Sequence, residues 1–458
     1  MTATESLYLE HEWQRTRPDL SLYIPSDIEG PDAANQHILV VMTPAGTLLG
    51  TWTMSAFENA DNQRVVCSRS TDRGQTWSTP QEIDGPNSDD PPRTGLASWG
   101  FPVVAPGLLA NGRHRVYCFY NKNVGVDDAR PDTTGALRAR YSDDDGITWS
   151  EQTYDYPIAG NAISHPDPGV PANWVVFQNI FVTPSEGHVL VPFTRWASNE
   201  YDPAVALNLN LLEHWSEVCF LRFENILTEP DPAKLVVTTW PKTAHGLQIP
   251  SPYRPGVSVC QEPTVQALSD GRLICVMRSL QGMIYFALSE DDGYTWDEPR
   301  PLRYEPGGNA LLNPVVPCPL YQLQDGRYLL LFYNNDGTAN GGKSPVDAKC
   351  NRYPAWVTLG REIPGERDHP LRFGPPKIVA STDGVLIPHG GTQVAPYPSL
   401  VDDGQERILF YPDRKHYLLG KYLTDDWLAD CDPVTNPVRQ RPPTDIFEIR
   451  AAAKEANK

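Results

Sequence analysis

The decapeptide SRSTDRGQTW at residues 68–77 returns as RYSDDDGITW at 140–149 and as ALSEDDGYTW at 287–296. All three share Ser-x-Asp-x-Gly-x-Thr-Trp, with the aspartate at Asp72, Asp144 and Asp291. These aspartates stand 72 and 147 residues apart, so the spacing fits a period of about 73 with one copy skipped. A fixed period of this size signals a repeat architecture. The missing copy is expected near LEHWSEVCFLRF, residues 212–223.

A second repeat runs through the whole chain. Six segments place a glycine in a turn between apolar runs, at Gly46, Gly112, Gly187, Gly271, Gly326 and Gly404. Asp-Gly and Asn-Gly between such runs are hairpin signals. The intervals of 66, 75, 84, 55 and 78 residues each suit a four-stranded antiparallel sheet. Six such sheets predict an all-β, six-bladed propeller, because radial repetition protects sheet edges. A seventh, degenerate blade is the alternative. The N-terminal LSLYIPSD and the C-terminal TDIFEIR are expected to pair and close the ring. No linker-like stretch divides the chain, so residues 1–458 read as one domain with a short C-terminal tail.

The composition agrees. Proline (45) and glycine (34) are abundant and tryptophan (12) is generous, which favours many turns and short strands over long helices. The net charge of −19 and the lack of any Lys/Arg run argue against a nucleic-acid partner. No apolar run reaches the roughly 18 residues of a membrane span. The N-terminus has neither a basic nor an apolar signal region, so a cytoplasmic protein is expected, or a secreted one if a leader was trimmed. The eight cysteines form no C-x-x-C and mostly sit in strand-like runs such as VYCFY, which reads as buried free thiols. No phosphate-loop, dinucleotide, nucleophile-elbow or zinc-protease motif occurs, so no cofactor or metal is expected.

The repeated decapeptide resembles the Asp-box, or BNR repeat, of the sialidase (neuraminidase) superfamily. Its own chemistry is structural: the aspartate accepts turn N–H groups, the glycine supplies positive φ, and the tryptophan packs on the sheet. Calcium binding at SDDDG is the alternative, but Tyr141 stands where the first ligand would be.

In a propeller the inner strands converge on the axis, so polar residues flanking the six hairpins are the candidates. They include His37, Gln178, Glu262, Asn313 and Tyr397 before the turns, and Arg195, Arg278 and Arg414 after them. CQEPTVQALSDGRLICVMRS resembles the sialidase hairpin that joins a glutamate to a carboxylate-binding arginine, which implies Glu262 and Arg278. ADNQRVV resembles the loop ahead of the first Asp-box, implying Asp61 as acid/base. NRYPAW is similar to the strand carrying a further arginine, Arg352, and APYPSL to the one carrying the catalytic tyrosine, Tyr397. The family's N-terminal Arg-Ile-Pro is absent here, with Tyr23 in its place in LYIPSD.

Three functions follow. The resemblance implies an exo-acting glycosidase for a terminal acidic sugar. Tyr397 would be its nucleophile, Glu262 its base, Asp61 its acid/base, and Arg278 and Arg352 its carboxylate clamp. The second is a rhamnose–glucuronate lyase or α-L-rhamnosidase. There His37 would abstract a proton beside a uronate neutralised by Arg195 or Arg278. The third is a glycan-binding propeller without catalysis.

Overall fold

The computed structural model describes residues 11–110, 112–178, 181–183, 187–202, 210–387 and 391–438. Its strands form six antiparallel sheets, each the blade of a propeller. Blade 1 runs outward through Ala34–Met42, Leu48–Ser55, Arg64–Ser70 and Gln81–Asp84. Blade 2 is Ala97–Ala105, Arg115–Lys122, Ala136–Ser142 and Tyr154–Tyr156. Blade 3 is Asn173–Val175, Val189–Trp196, Ser216–Phe223 and Val237–Trp240, with Phe181–Val182 added beside its second strand. Blade 4 is Cys260–Ala267, Leu273–Ser279, Tyr285–Ser289 and Arg300–Pro301. Blade 5 is Leu320–Gln322, Tyr328–Phe332, Ala355–Glu362 and Leu371–Phe373, with Lys377–Ala380 also on its third strand.

Blade 6 closes the ring. Ser399–Asp402, Arg407–Asp413 and Tyr417–Tyr422 come from the end of the chain, and the fourth strand, Leu20–Tyr23, comes from its beginning. Leu20 pairs with Gly420 and Ser21 with Leu419. The partner of LSLY among the described residues is Tyr417–Tyr422, and TDIFEIR lies outside them. The strand Tyr417–Tyr422 takes that place because it is the free outer edge of the last sheet. A buried cluster pins the same segment, with Arg414 Nη1 2.7 Å from Glu12 Oε1. The N-terminal strand thus completes the sixth sheet instead of seeding a seventh.

Each of the six turn glycines joins the first two strands of one blade. All six hold positive φ, from 67° at Gly187 to 90° at Gly271. This is the left-handed region that glycine enters without steric cost.

The core is not a single centre but six wedges, one between each pair of neighbouring blades. The second strand of blade 5 shows how the sequence builds them. Leu329 and Leu331 pack toward blade 6, whereas Leu330 and Phe332 pack toward blade 4. Side chains alternate across a strand. A strand buried on both faces must therefore be apolar throughout, as YLLLF is. The eight cysteines are free, and seven are fully buried.

The Asp-boxes connect the third and fourth strands of blades 1, 2 and 4. In each, the aspartate spends both oxygens inside its own turn. Asp144 Oδ1 accepts Thr148 N–H (2.8 Å) and the Ser142 hydroxyl (2.8 Å), and Oδ2 accepts the Thr148 hydroxyl (2.7 Å). The tryptophans reach the preceding blade: Trp296 stacks on Phe220 at 4.6 Å and Trp77 meets Phe410 edge-on at 5.6 Å. The eroded copy is displaced from its expected place. WSEVCFLRF supplies the third strand of blade 3 itself. The loop after it is closed by Asn225, which accepts Val236 N–H at 2.8 Å and donates to Lys234 O at 3.0 Å.

Candidate active site

The inner strands are not regular at the axis. In blade 2 the pairing register breaks between Ser98 and Phe101, and in blade 4 between Gln261 and Thr264. The bulged residues Trp99 and Glu262 take φ of 57° and 50°. Left-handed backbone at a bulky residue persists only where its surroundings enforce it. Here a threonine of the preceding blade does so: Trp99 N–H donates to Thr53 Oγ1 (2.8 Å) and Glu262 N–H to Thr194 Oγ1 (2.7 Å). Pro263 needs no ladder hydrogen bond, which suits the position after such a bulge. The two side chains are thereby aimed into a cavity of about 220 Å³.

Four of the residues expected from sequence meet in this cavity: Glu262, Arg278, Arg352 and Tyr397. Arg278 Nη1 lies 2.5 Å from Glu262 Oε2, and both side chains are buried. Arg278 is held by Gln261 Oε1, which accepts Nε–H at 3.1 Å and Nη2–H at 2.7 Å. The Tyr397 ring stacks on Phe177 at 4.8 Å, and its hydroxyl lies close enough to Glu262 to favour the charged carboxylate. Arg352 follows the short helix Ala348–Asn351 and donates to Val315 O (2.7 Å) and Gln393 Oε1 (3.1 Å).

Burial pushes the Glu262 pKa up to about 7, although Arg278, Arg352 and Lys415 all pull it down. Desolvation wins because the carboxylate is buried and its two oxygens gain no well-aligned hydrogen bond among the described residues. A carboxylate that titrates near neutrality is suited to accept a proton at neutral pH.

The other expected residues lie elsewhere. Asp61 is exposed and does not line the cavity. His37 is fully buried: its Nε2 meets Gly100 O at 3.0 Å and its Nδ1 meets Thr53 Oγ1 at 3.4 Å. It braces the bulge of blade 2 from behind. Burial lowers its pKa to about 4, against the pull of the Gly100 carbonyl. Arg195 donates to Ser164 Oγ and Ala159 O, and Asn313 ties Pro314 O and Val316 O to Tyr333 N–H. Both are internal struts. Gln178 is buried beside Phe177, and its amide has no hydrogen-bond partner among the described residues. Arg414 turns away into the cluster with Glu12 and Asp413.

Other charged residues line the cavity wall. Glu58, three positions ahead of Asp61 in the same loop, lines the cavity with its side chain 40% exposed. Lys415, one position after Arg414, lies 2.6 Å from Glu58 Oε2. Arg130, from the long loop of blade 2, brings a third arginine, 3.7 Å from Glu58. At the N-terminal segment, where no arginine stands, the Tyr23 hydroxyl bonds Asp32. Burial raises the Glu58 pKa, but Lys415, Arg130 and Arg352 outweigh it and hold the value at about 2. Trp99, Phe177 and Trp196 form the apolar wall. Lys415 follows Arg414 in the turn after Arg407–Asp413, where φ of 56° and 55° sends the two side chains apart. Arg130 sits in an irregular loop with no periodic signal at all.

Four cations face two carboxylates here, in a chain of net charge −19. Six blades, Asp-boxes on three of them and a tyrosine–glutamate pair ringed by arginines define a sialidase-like propeller. The chain belongs to the BNR repeat-like domain family, whose model matches residues 46–365. No curated protein matches it. Among solved structures it is similar to a leech intramolecular trans-sialidase complexed with 2,7-anhydro-Neu5Ac. That match has a TM-score of 0.56 and 14% identity, covering 90% of this chain and 71% of the other. The intramolecular trans-sialidase of Ruminococcus gnavus matches with a TM-score of 0.54 and 15% identity, over 89% of this chain and 98% of that one. A Hadza microbial sialidase matches at 0.54 and 17% identity over 86% of this chain, which spans 66% of that protein. At these identities the shared property is the fold.

Proposed function

We propose that the protein is an exo-acting glycoside hydrolase that releases a terminal acidic sugar. The observation that carries this reading is the meeting of Tyr397, Glu262, Arg278 and Arg352 in one axial cavity. Arg278, Arg352 and Arg130 supply guanidinium charge for the sugar carboxylate, Arg130 through the Nη1 that its bidentate pairing with Asp132 leaves over. Tyr397 Oη attacks the anomeric carbon as Glu262 takes the phenol proton. A neutral nucleophile avoids repulsion from the anionic sugar. The glycosidic C–O bond breaks with its electrons passing to the leaving oxygen, which takes a proton from Glu58. Water then attacks the anomeric carbon and gives its proton to Glu58. The Tyr397 oxygen departs and recovers its proton from Glu262.

Glu58 fits the acid/base role better than Asp61, being the only carboxylate besides Glu262 that lines the cavity among the described residues. Lys415, Arg130 and Arg352 keep it charged in the free protein, so before the first step Glu58 must take up a proton from solvent as the bound anionic sugar draws these cations away. The elimination reading is less favoured, because burial lowers the His37 pKa to about 4, which leaves a weak base, and its ring lies against Trp99 without lining the cavity.

A glycan panel with mass detection and ultraviolet monitoring tests this reading. Release of one terminal acidic sugar, abolished by Tyr397→Phe and Arg278→Ala, is the expected result. Binding without release, or an unsaturated product, would overturn it.

A further inference from the structure

The axial cavity does not end at Glu58. A second chamber of about 250 Å³ lies beyond it. The two spaces share Glu58, Ala348, Gln393 and Lys415, so the Glu58–Lys415 ion pair is part of the partition between them. The far side adds Gln36, Lys349 and Thr392.

The chemistry of this chamber differs from that of the first. No aromatic ring lines it among the described residues. Gln36 is fully buried; its Nε2 donates to Gln63 Oε1 at 3.3 Å, while its Oε1 has no partner among the described residues. A buried acceptor left unpaired is costly, so it fits a ligand that donates a hydrogen bond. Lys349 and Lys415 supply donors, and Glu58 a further acceptor. Mixed donors and acceptors without a stacking platform suit a hydroxyl-bearing ring held by its edges.

Direction follows from Glu58. If Glu58 protonates the leaving oxygen, whatever lies beyond it holds the leaving group. We infer that this second chamber is a binding site for the neighbouring sugar residue, so that the protein reads the last two residues of an oligosaccharide and not the terminal one alone. This rests on the reading given under Proposed function, and it adds Gln36 and Lys349 as residues that recognise the leaving sugar.

The test compares leaving groups on the same terminal sugar. One pair is 4-methylumbelliferyl N-acetylneuraminate and 3′-sialyllactose. The other is 4-methylumbelliferyl glucuronide and a glucuronate-terminated disaccharide. Gln36→Ala should raise KM for the oligosaccharide about tenfold and leave the aryl glycoside within about twofold, since the aryl group has no hydroxyl to offer Gln36. Lys349→Gln, at an exposed position that folding does not depend on, should act in the same direction and more weakly. Equal effects on both leaving groups, or none on either, would overturn the second site while leaving the hydrolase reading intact. Failure of every substrate in both pairs, by cleavage and by binding, would overturn both together.

Discussion

Replacing Glu262 by glutamine should lower the proposed activity and change the stability of the protein by an amount that depends on pH. In the folded chain burial holds the Glu262 carboxyl at about 7, against an ordinary value of 4.5. The folded state therefore binds this proton more tightly than the unfolded state. The resulting stability is fully present below about 4.5 and is lost as pH rises through about 7. The whole change amounts to about 3 kcal/mol, at 1.36 kcal/mol per pH unit. Glutamine keeps a neutral group of the same size and loses nothing over that range.

The Tm of Glu262→Gln minus that of the natural protein should therefore climb between pH 5 and pH 8. For a chain of 458 residues the rise is about 3 °C, given about 2.1 cal/mol/K of unfolding entropy per residue. Thermal unfolding followed by circular dichroism at four pH values measures it, and no substrate is needed. In parallel, kcat should fall about 10²- to 10⁴-fold as the base is lost. A Tm difference that stays flat with pH would refute the desolvation argument.

Three further outcomes separate the roles assigned above. Glu58→Gln should reduce kcat by about 10²-fold or more, whereas Asp61→Asn should change it by less than about threefold, as rates on the released glycan will tell. Lys415→Met removes the cation that does most to hold Glu58 near 2, so the Glu58 pKa should rise. The alkaline limb of the pH–rate profile should then move to higher pH. His37→Ala strips the brace from the Trp99 bulge and should cost about 2–4 kcal/mol in denaturant unfolding, yet leave kcat/KM of the folded fraction within about threefold.

The architecture was legible because it repeats. Asp72, Asp144 and Asp291 measured the period, and six glycines with positive φ marked the inner hairpin of every blade. The paired residues Glu262 and Arg278 were legible too, since one hairpin carries both across a short turn. What sequence could not resolve was direction at the strand ends. A register break between Asn35 and Ile38 turns His37 to the wall of blade 2, and in the tight turn after Arg407–Asp413 Arg414 faces the Glu12 cluster while Lys415 faces the cavity. Arg130 and Glu58 belong to loops, where no periodicity indicates which side chain points inward. The closing strand was half legible: Leu20–Tyr23 reads as a strand, but its partner is fixed by the shape of the finished ring.

That closure sets the order in which the protein can become active during synthesis. Leu20–Tyr23 is made before the other strands and must wait, unpaired, until Tyr417–Tyr422 arrives. Blades 1 to 5 can form meanwhile, carrying Glu58, Arg130, Glu262, Arg278 and Arg352. Tyr397 and Lys415 come with the last blade. On the proposed mechanism the nucleophile thus enters the site only as the circle is completed, and a chain whose ends have not met would hold the arginine clamp without the group that attacks.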